Sequence, residues 1–235
     1  MRGNHMEGAV GSQPIATSAR KQNNGTTVAS RCGTSVYKRA FDILVSGSLL
    51  VFGAPLLILI ALGIKLQDGG PVLYSHKRIG RNNREFGCLK FRSMVTDANV
   101  RLAEYLQNNP EAREEWARTQ KLSNDPRITT LGKFLRKSSL DEIPQLWNIL
   151  RGDMSLVGPR PIVHDEVPRY GDHIRYYLSA RPGLTGLWQV SGRSDTSYDY
   201  RVNLDVNYVE NWHLGKDIMI MVKTIPAVLE ARGAR

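Results

Sequence analysis

Cysteine is scarce. The chain has two, Cys32 and Cys88, far apart and in no spacing that a metal site or a redox motif uses. That excludes a disulfide framework and favours a reducing, cytoplasm-facing compartment. Histidine is thin as well: His5, His76, His164, His173 and His213 are scattered without metal-ligand spacing. Neither a Walker-type P-loop pattern nor GxGxxG occurs, so the two common glycine-rich phosphate cradles are excluded. No internal repeat is visible. The most telling absence is of charge: from Ile43 to Ile64 there is none in 22 positions.

The rest of the composition is that of an ordinary globular chain of 235 residues, 41% hydrophobic and 23% charged, with a net charge of +10. That excess calls for an anionic partner: nucleic acid, an anionic membrane or a phosphorylated substrate. Nucleic acid is disfavoured, because the basic residues are not interleaved with aromatics and no recognition motif occurs.

Residues 1 to 35 are rich in Gly, Ser, Thr, Asn and Gln and read as a disordered tail. The uncharged run, as a helix, is about 33 Å long, one hydrocarbon thickness. It is too long for a signal-peptide core, and a membrane helix over residues 36–66 is expected. Gly53-Ala54-Pro55 lies near its middle, where proline kinks a helix. Arg31, Lys38 and Arg39 flank one end and Lys65, Lys77, Arg78 and Arg81 the other, so both ends satisfy the positive-inside rule. A helix that enters, bends at Pro55 and leaves by the same leaflet fits both; a kinked spanning helix is the alternative.

Beyond it, residues 67–235 form the expected cytoplasmic domain. Val72–His76 and Phe86–Met94 read as the arms of a β-hairpin around Asn82-Asn83. Lys90 and Arg92 share one face of the second strand and are candidates for an anion site. Lys77, Arg78, Arg81 and Arg84 read as headgroup contacts. Residues 96–122 are polar and helix-prone with a break at Asn109-Pro110, and 130–137 form a short basic helix. Arg160, set between Pro159 and Pro161, has little backbone freedom and suits bidentate phosphate recognition, or is simply a rigid turn arginine. Leu184–Ser191 reads as a strand carrying a core Trp188, and Tyr198–Trp212 as a helix with Asp205 on a solvated face. The apolar stretch from Lys216 to Glu230 rests on the membrane or the core.

The stretch Ser138-Ser139-Leu140-Asp141-Glu142-Ile143-Pro144-Gln145-Leu146 holds adjacent carboxylates at an expected helix start. There the helix dipole favours their ionised forms, suited to nucleophilic attack or to a hard cation. Ser139-x-x-Glu142 also matches a structural capping box. Arg136 lies five residues before Asp141.

These stretches, in order, carry a resemblance from Val36 to Gly233. They are Lys38-Arg39-x-x-Asp42, the apolar helix with Pro55, Lys90-Phe91-Arg92-Ser93-Met94, and Leu140-Asp141-Glu142-Ile143-Pro144-Gln145. Gly152 to Pro161, Arg181-Pro182-Gly183-Leu184-Thr185-Gly186 and Gly192-Arg193 complete the set. The chain resembles the bacterial sugar transferases, monotopic polyprenyl-phosphate phosphoglycosyl transferases, and within them the members that start exopolysaccharide synthesis with galactose or glucose. One departure is Ala54-Pro55, where well-known members have Ser-Pro.

The resemblance implies an α+β monotopic protein with an N-terminal re-entrant helix, a small β-hairpin and several interfacial and packed helices. It implies Mg²⁺-dependent transfer of hexose-1-phosphate from a UDP-hexose to undecaprenyl phosphate at the bacterial inner membrane, with the catalytic domain facing the cytoplasm. Asp141 is the implied nucleophile and Glu142, with Asp141, the implied metal ligand. Lys90, Arg92, Arg136, Arg160, Pro161 and Arg193 are the implied substrate contacts. A membrane-anchored scaffold whose charges serve only lipid is the rival expectation, and the oligomeric state is left open.

Overall fold

The computed structural model describes residues 32–191 and 197–229. Helix α1, Val36–Asp68, is its longest element at 33 residues, about 50 Å by helical rise. Ser35 caps its start, the hydroxyl accepting from the Lys38 N–H at 3.3 Å. Gly69 closes it in the left-handed region at φ 69°, its N–H reaching the Lys65 carbonyl. The helix continues through Pro55 and ends two residues beyond the expected Leu66. It is long and apolar enough to cross a membrane, by length and composition.

Its two ends rest on the same body. Lys38, Asp42 and Ser46 stack at helical spacing on one buried stripe. Lys38 Nζ donates to Asp217 Oδ2 at 2.6 Å, the Val157 carbonyl at 2.9 Å and the Tyr208 hydroxyl at 3.1 Å. Asp42 Oδ1 accepts from Ser155 Oγ and the Leu156 N–H, each at 3.0 Å. Toward the other end, Ile60 and Ile64 are buried with Phe91 and Leu135. Leu44, Val51, Phe52, Ile58, Leu59 and Leu62 are exposed.

A hairpin follows. Strands β1 (Leu73–Ile79) and β2 (Glu85–Phe91) pair antiparallel from Leu73↔Phe91 to Ile79↔Glu85. Asn82 and Asn83 take φ of 56° and 61° in the turn, a region asparagine tolerates. The second arm stops at Phe91, short of the expected Met94, because Met94 instead bridges Ile128. Helices α2 (Ala98–Asn108) and α3 (Pro110–Thr119) meet at Asn109, with Pro110 in the first turn where its missing N–H does no harm. Helix α4, Thr130–Lys137, starts on a Thr129 cap.

The remaining elements wrap around the first turns of α1. Helix α5 (Gln145–Arg151) leads to strand β3 (Ser155–Val157), which pairs in parallel with β4 (Gly183–Thr185). A Cβ on Gly183 would fall 2.1 Å from the Gly158 nitrogen, so only glycine permits this approach. Helices α6 (Ile174–Ser179), α7 (Tyr198–Glu210) and α8 (Leu214–Leu229) complete the described chain. Tyr208, Val209 and Ile220 join Leu146, Ile149, Met154 and Val157 in the main core. On α8, Asp217 and Ile220 are buried while Ile218, Met219, Val222 and Ile225 face outward.

This is the expected mixture of helices with small sheets, with two corrections. The strand expected over 184–191 ends at Thr185, and Trp188–Val190 form a 3₁₀ turn. Asp205 is buried at 3% exposure, not solvated, because its helix face also carries Val202 and Val209 into the core. Both cysteines are buried, and burial pushes the thiols up, to about 12 for Cys32 and about 11 for Cys88, which makes them inert.

Candidate active site

The carboxylate pair sits at a bend between two short helices. Ser139 at φ 57° breaks α4, and a single 3₁₀ turn, Leu140–Glu142, carries the pair before α5 opens after Pro144. The pair therefore precedes the helix and does not occupy its first α-helical turn. Ser139 makes no capping box with Glu142: the contact is backbone to backbone, Glu142 N–H to the Ser139 carbonyl at 3.2 Å. The expected dipole effect is outweighed. Burial pushes the Asp141 carboxyl up to about 6, Glu142 adds to it, and Lys90 and Arg136 pull the other way.

Strand β2 supplies the cation. Lys90 Nζ lies 2.6 Å from Glu142 Oε1 and 4.0 Å from Asp141 Oδ2. Arg136 comes from the last turn of α4, its Nε donating to Ser93 Oγ at 2.8 Å. Asn148, fully buried on α5, fixes the relation of strand to turn. It accepts from the Leu89 N–H at 3.0 Å and donates to the Gly87 carbonyl at 2.8 Å. Sequence reasoning missed Asn148; the signal was a lone amide inside the apolar run Leu146 to Leu150.

Arg160 and Pro161 form a second cluster. Arg160 Nη1 donates to Glu166 Oε1 at 3.1 Å, and its guanidinium lies 5.8 Å from the Trp188 ring centroid. The Pro161 carbonyl accepts from Arg78 Nη1 at 3.2 Å, and Arg78 also faces Glu166 at 3.7 Å. Arg78, read from the sequence as a headgroup contact, is therefore half-buried and engaged with the protein, and Arg81 donates to the Gly33 carbonyl. Lys77 and Arg84 stay exposed.

His76 links the clusters. The register sets Tyr74 opposite Lys90 and His76 opposite Cys88, so Lys90, His76 and Arg78 share one sheet face. His76 Nδ1 is 3.3 Å from Arg78 Nη2, and burial first, then Arg78 and Lys90, lower its pKa. The period-two spacing of His76 and Arg78 carried this signal.

Arg92 does not join. Its Nη2 donates to Asp68 at the end of α1, although the strand spacing put it on the face of Lys90. Arg193 lies outside the described residues. Among the described residues no group of three or more His, Cys, Asp or Glu could hold a metal. The hard oxygens of Asp141 and Glu142 nevertheless fit Mg²⁺, which commonly takes one or two carboxylates and completes its shell with water and substrate phosphates.

The geometry thus offers a half-open carboxylate pair, a lysine across it, a restrained arginine beside it and a basic face leading away. Comparison with known proteins adds the rest. The chain is similar to the undecaprenyl-phosphate galactose phosphotransferase of Salmonella typhimurium, 54% identical over 215 residues, 92% of this chain and 44% of that protein. It is similar to the exopolysaccharide production protein ExoY of Rhizobium meliloti, 53% identical over 197 residues, 84% of this chain and 87% of that one. It is 52% identical to the UDP-galactose-lipid carrier transferase of Erwinia amylovora over 84% of this chain and 41% of that protein. The chain therefore spans less than half the length of two of these relatives. The family model described as bacterial sugar transferase matches residues 33–231, nearly everything the structure describes, and the chain belongs to that family.

Proposed function

We propose that the chain moves hexose-1-phosphate from a UDP-hexose to undecaprenyl phosphate through a covalent adduct on Asp141. One observation carries the reading. Of two adjacent carboxylates facing one lysine, Glu142 is paired with it at 2.6 Å while Asp141 stands at 4.0 Å, buried and uncommitted. A carboxylate kept out of a tight ion pair retains its lone pairs for attack.

In the first step an Asp141 oxygen attacks the β-phosphorus of the donor. The bond from that phosphorus to the bridging oxygen breaks, and UMP leaves with the electron pair. In the second, an oxygen of undecaprenyl phosphate attacks the same phosphorus and the Asp141 carboxylate departs, giving undecaprenyl-diphosphate-hexose. Lys90 and Arg136 neutralise charge at the reacting phosphoryl group, and Arg160, with Arg193, serves the donor's other phosphate. Asp141 and Glu142 would hold Mg²⁺ with the donor's diphosphate, adding positive charge where the phosphoryl oxygens gather. The names of the relatives, a phosphotransferase and a lipid carrier transferase, support this substrate class. A non-catalytic scaffold would have no use for a carboxylate buried at the mouth of a basic seam.

The anchor is read as re-entrant, with the catalytic domain over residues 67–235 on the cytoplasmic side of the bacterial inner membrane. That both ends of α1 dock on one body supports this, since a spanning helix would separate them by the bilayer. Cysteine labelling within residues 1–31 tests it; labelling from outside intact cells sinks re-entry.

For the chemistry, donor without lipid acceptor should add the mass of hexose-1-phosphate to the intact protein and release one UMP. Asp141→Asn should show neither. An unmodified wild-type mass with continued UMP release removes the covalent step.

A further inference from the structure

Beyond Arg160 the seam ends in a small cavity that the reaction above does not use. It has about 10 Å³ of room and is lined by Arg160, Tyr170, Trp188, Arg201 and Asp205, among others. That is the space of a single oxygen, since one water needs roughly 10–15 Å³. Three buried polar atoms of these residues have no hydrogen-bond partner among the described residues: Asp205 Oδ1, Trp188 Nε1 and Arg201 Nε. Buried polar groups are nearly always paired, so three orphans around one cavity point to an occupant.

Their chemistry describes it. Trp188 Nε1 and Arg201 Nε are donors, and Asp205 Oδ1 is an acceptor. A hydroxyl group has the complement, one hydrogen to donate and two lone pairs. Asp205 is itself held: Tyr170 donates to its other oxygen at 2.7 Å, the Arg160 backbone N–H and guanidinium also favour the carboxylate, and the residue is 3% exposed. Burial pushes its carboxyl up to about 7, and a hydrogen bond donated to Oδ1 would draw that value back. The Trp188 ring is covered by the guanidinium groups of Arg201 at 4.8 Å and Arg160 at 5.8 Å, which fixes the indole edge.

Position selects the hydroxyl. From Tyr74, opposite Lys90, to Arg78 is four strand residues, about 13 Å. With the β-phosphorus at Asp141, the hexose stays within one sugar ring of the reacting centre. The nucleotide is the half of the donor that can extend along the seam. We propose that the Asp205–Trp188–Arg201 cavity receives one ribose hydroxyl of the donor's nucleotide and so reads it as a ribonucleotide. This rests on the UDP-hexose reading, and it makes binding residues of Arg201, of Trp188, read from the sequence as core, and of Asp205, read as solvated.

Calorimetry with the full chain in detergent separates the two claims, using UDP, 2′-deoxy-UDP and 3′-deoxy-UDP, none of which the protein consumes. Wild type should bind one deoxy form about 10- to 100-fold more weakly than UDP, the loss expected when buried polar groups go unpaired. Trp188→Phe keeps the ring and removes only the N–H; Asp205→Asn keeps the Tyr170 contact. Both should bind UDP and the deoxy forms alike. Equal binding of all three by wild type overturns the ribose site and makes the occupant a trapped water, while leaving the transfer reading intact. A penalty that appears instead with deoxy-hexose donors overturns it in favour of the sugar half. Ribose-dependent binding without UMP release from any UDP-hexose keeps the site and sinks the transfer. No UDP binding by wild type overturns both.

Discussion

Lys38 and Lys90 each face an aspartate, but the first pair is sealed and the second is open. Lys38 and Asp217 stand 2.6 Å apart with 5% and 1% of their side chains exposed. Tyr208 and Trp212 also bind Asp217, at 2.7 Å and 3.1 Å. Lys90 and Asp141 stand 4.0 Å apart with 32% and 11% exposed, and the lysine is turned to Glu142 instead. A fully partnered buried pair fixes one geometry; a half-open one leaves room for a substrate's charge to enter. The same chemical groups thus form a closed clasp at one end of α1 and, beside the hairpin, the open pair on which the proposed reaction rests.

The sharpest way to break this contrast is to remove one aspartate from each. Asp141→Asn should lower turnover by at least about a thousandfold, roughly 4 kcal/mol of barrier, in a UMP-release assay. Its stability, read by thermal unfolding, should stay within about 1 kcal/mol of wild type, since no tight ion pair is lost. Asp217→Asn should do the reverse, removing about 3–5 kcal/mol of stability by stranding the Lys38 charge, as read by thermal unfolding in detergent. Turnover measured below its melting point should fall far less. Equal stability losses in the two variants would erase the distinction.

Smaller effects sharpen it. Arg160→Lys should raise the donor KM about 10- to 100-fold, because an ammonium cannot replace the guanidinium fork between Glu166 and a phosphate. Glu142→Gln should shift the Mg²⁺ concentration needed for half-maximal UMP release upward by about tenfold, the loss of one anionic oxygen ligand. An unchanged metal titration would leave Glu142 as a partner of Lys90 alone.

How far the sequence reached follows from which contacts are local. The hairpin, the break at Pro110 and helix 130–137 rest on turn chemistry and spacing, and they were legible. Asp141, Glu142 and Arg136 lie within one stretch of chain, and Lys90 was fixed by strand direction. Arg92 misled because spacing gives a face and not a partner, and its partner Asp68 comes from the end of another element. Arg78 reads as a headgroup contact and Asp205 as a solvated charge because nothing in their neighbours announces Glu166 or Tyr170. Ser139 hid the bend, since only its backbone angle, not its hydroxyl, does the work.

The clasp at Lys38 has a consequence for how the protein is made. Its two halves are 179 residues apart, so the polar stripe on an otherwise greasy helix waits for all of the chain between them to emerge. At synthesis speeds of about 5–20 residues per second, that wait is roughly 10–40 s. During it, Lys38 lacks its Asp217 partner and remains hydrated. Docking of α8 then releases it from water, so burial of the start of α1 and completion of the main core become one event.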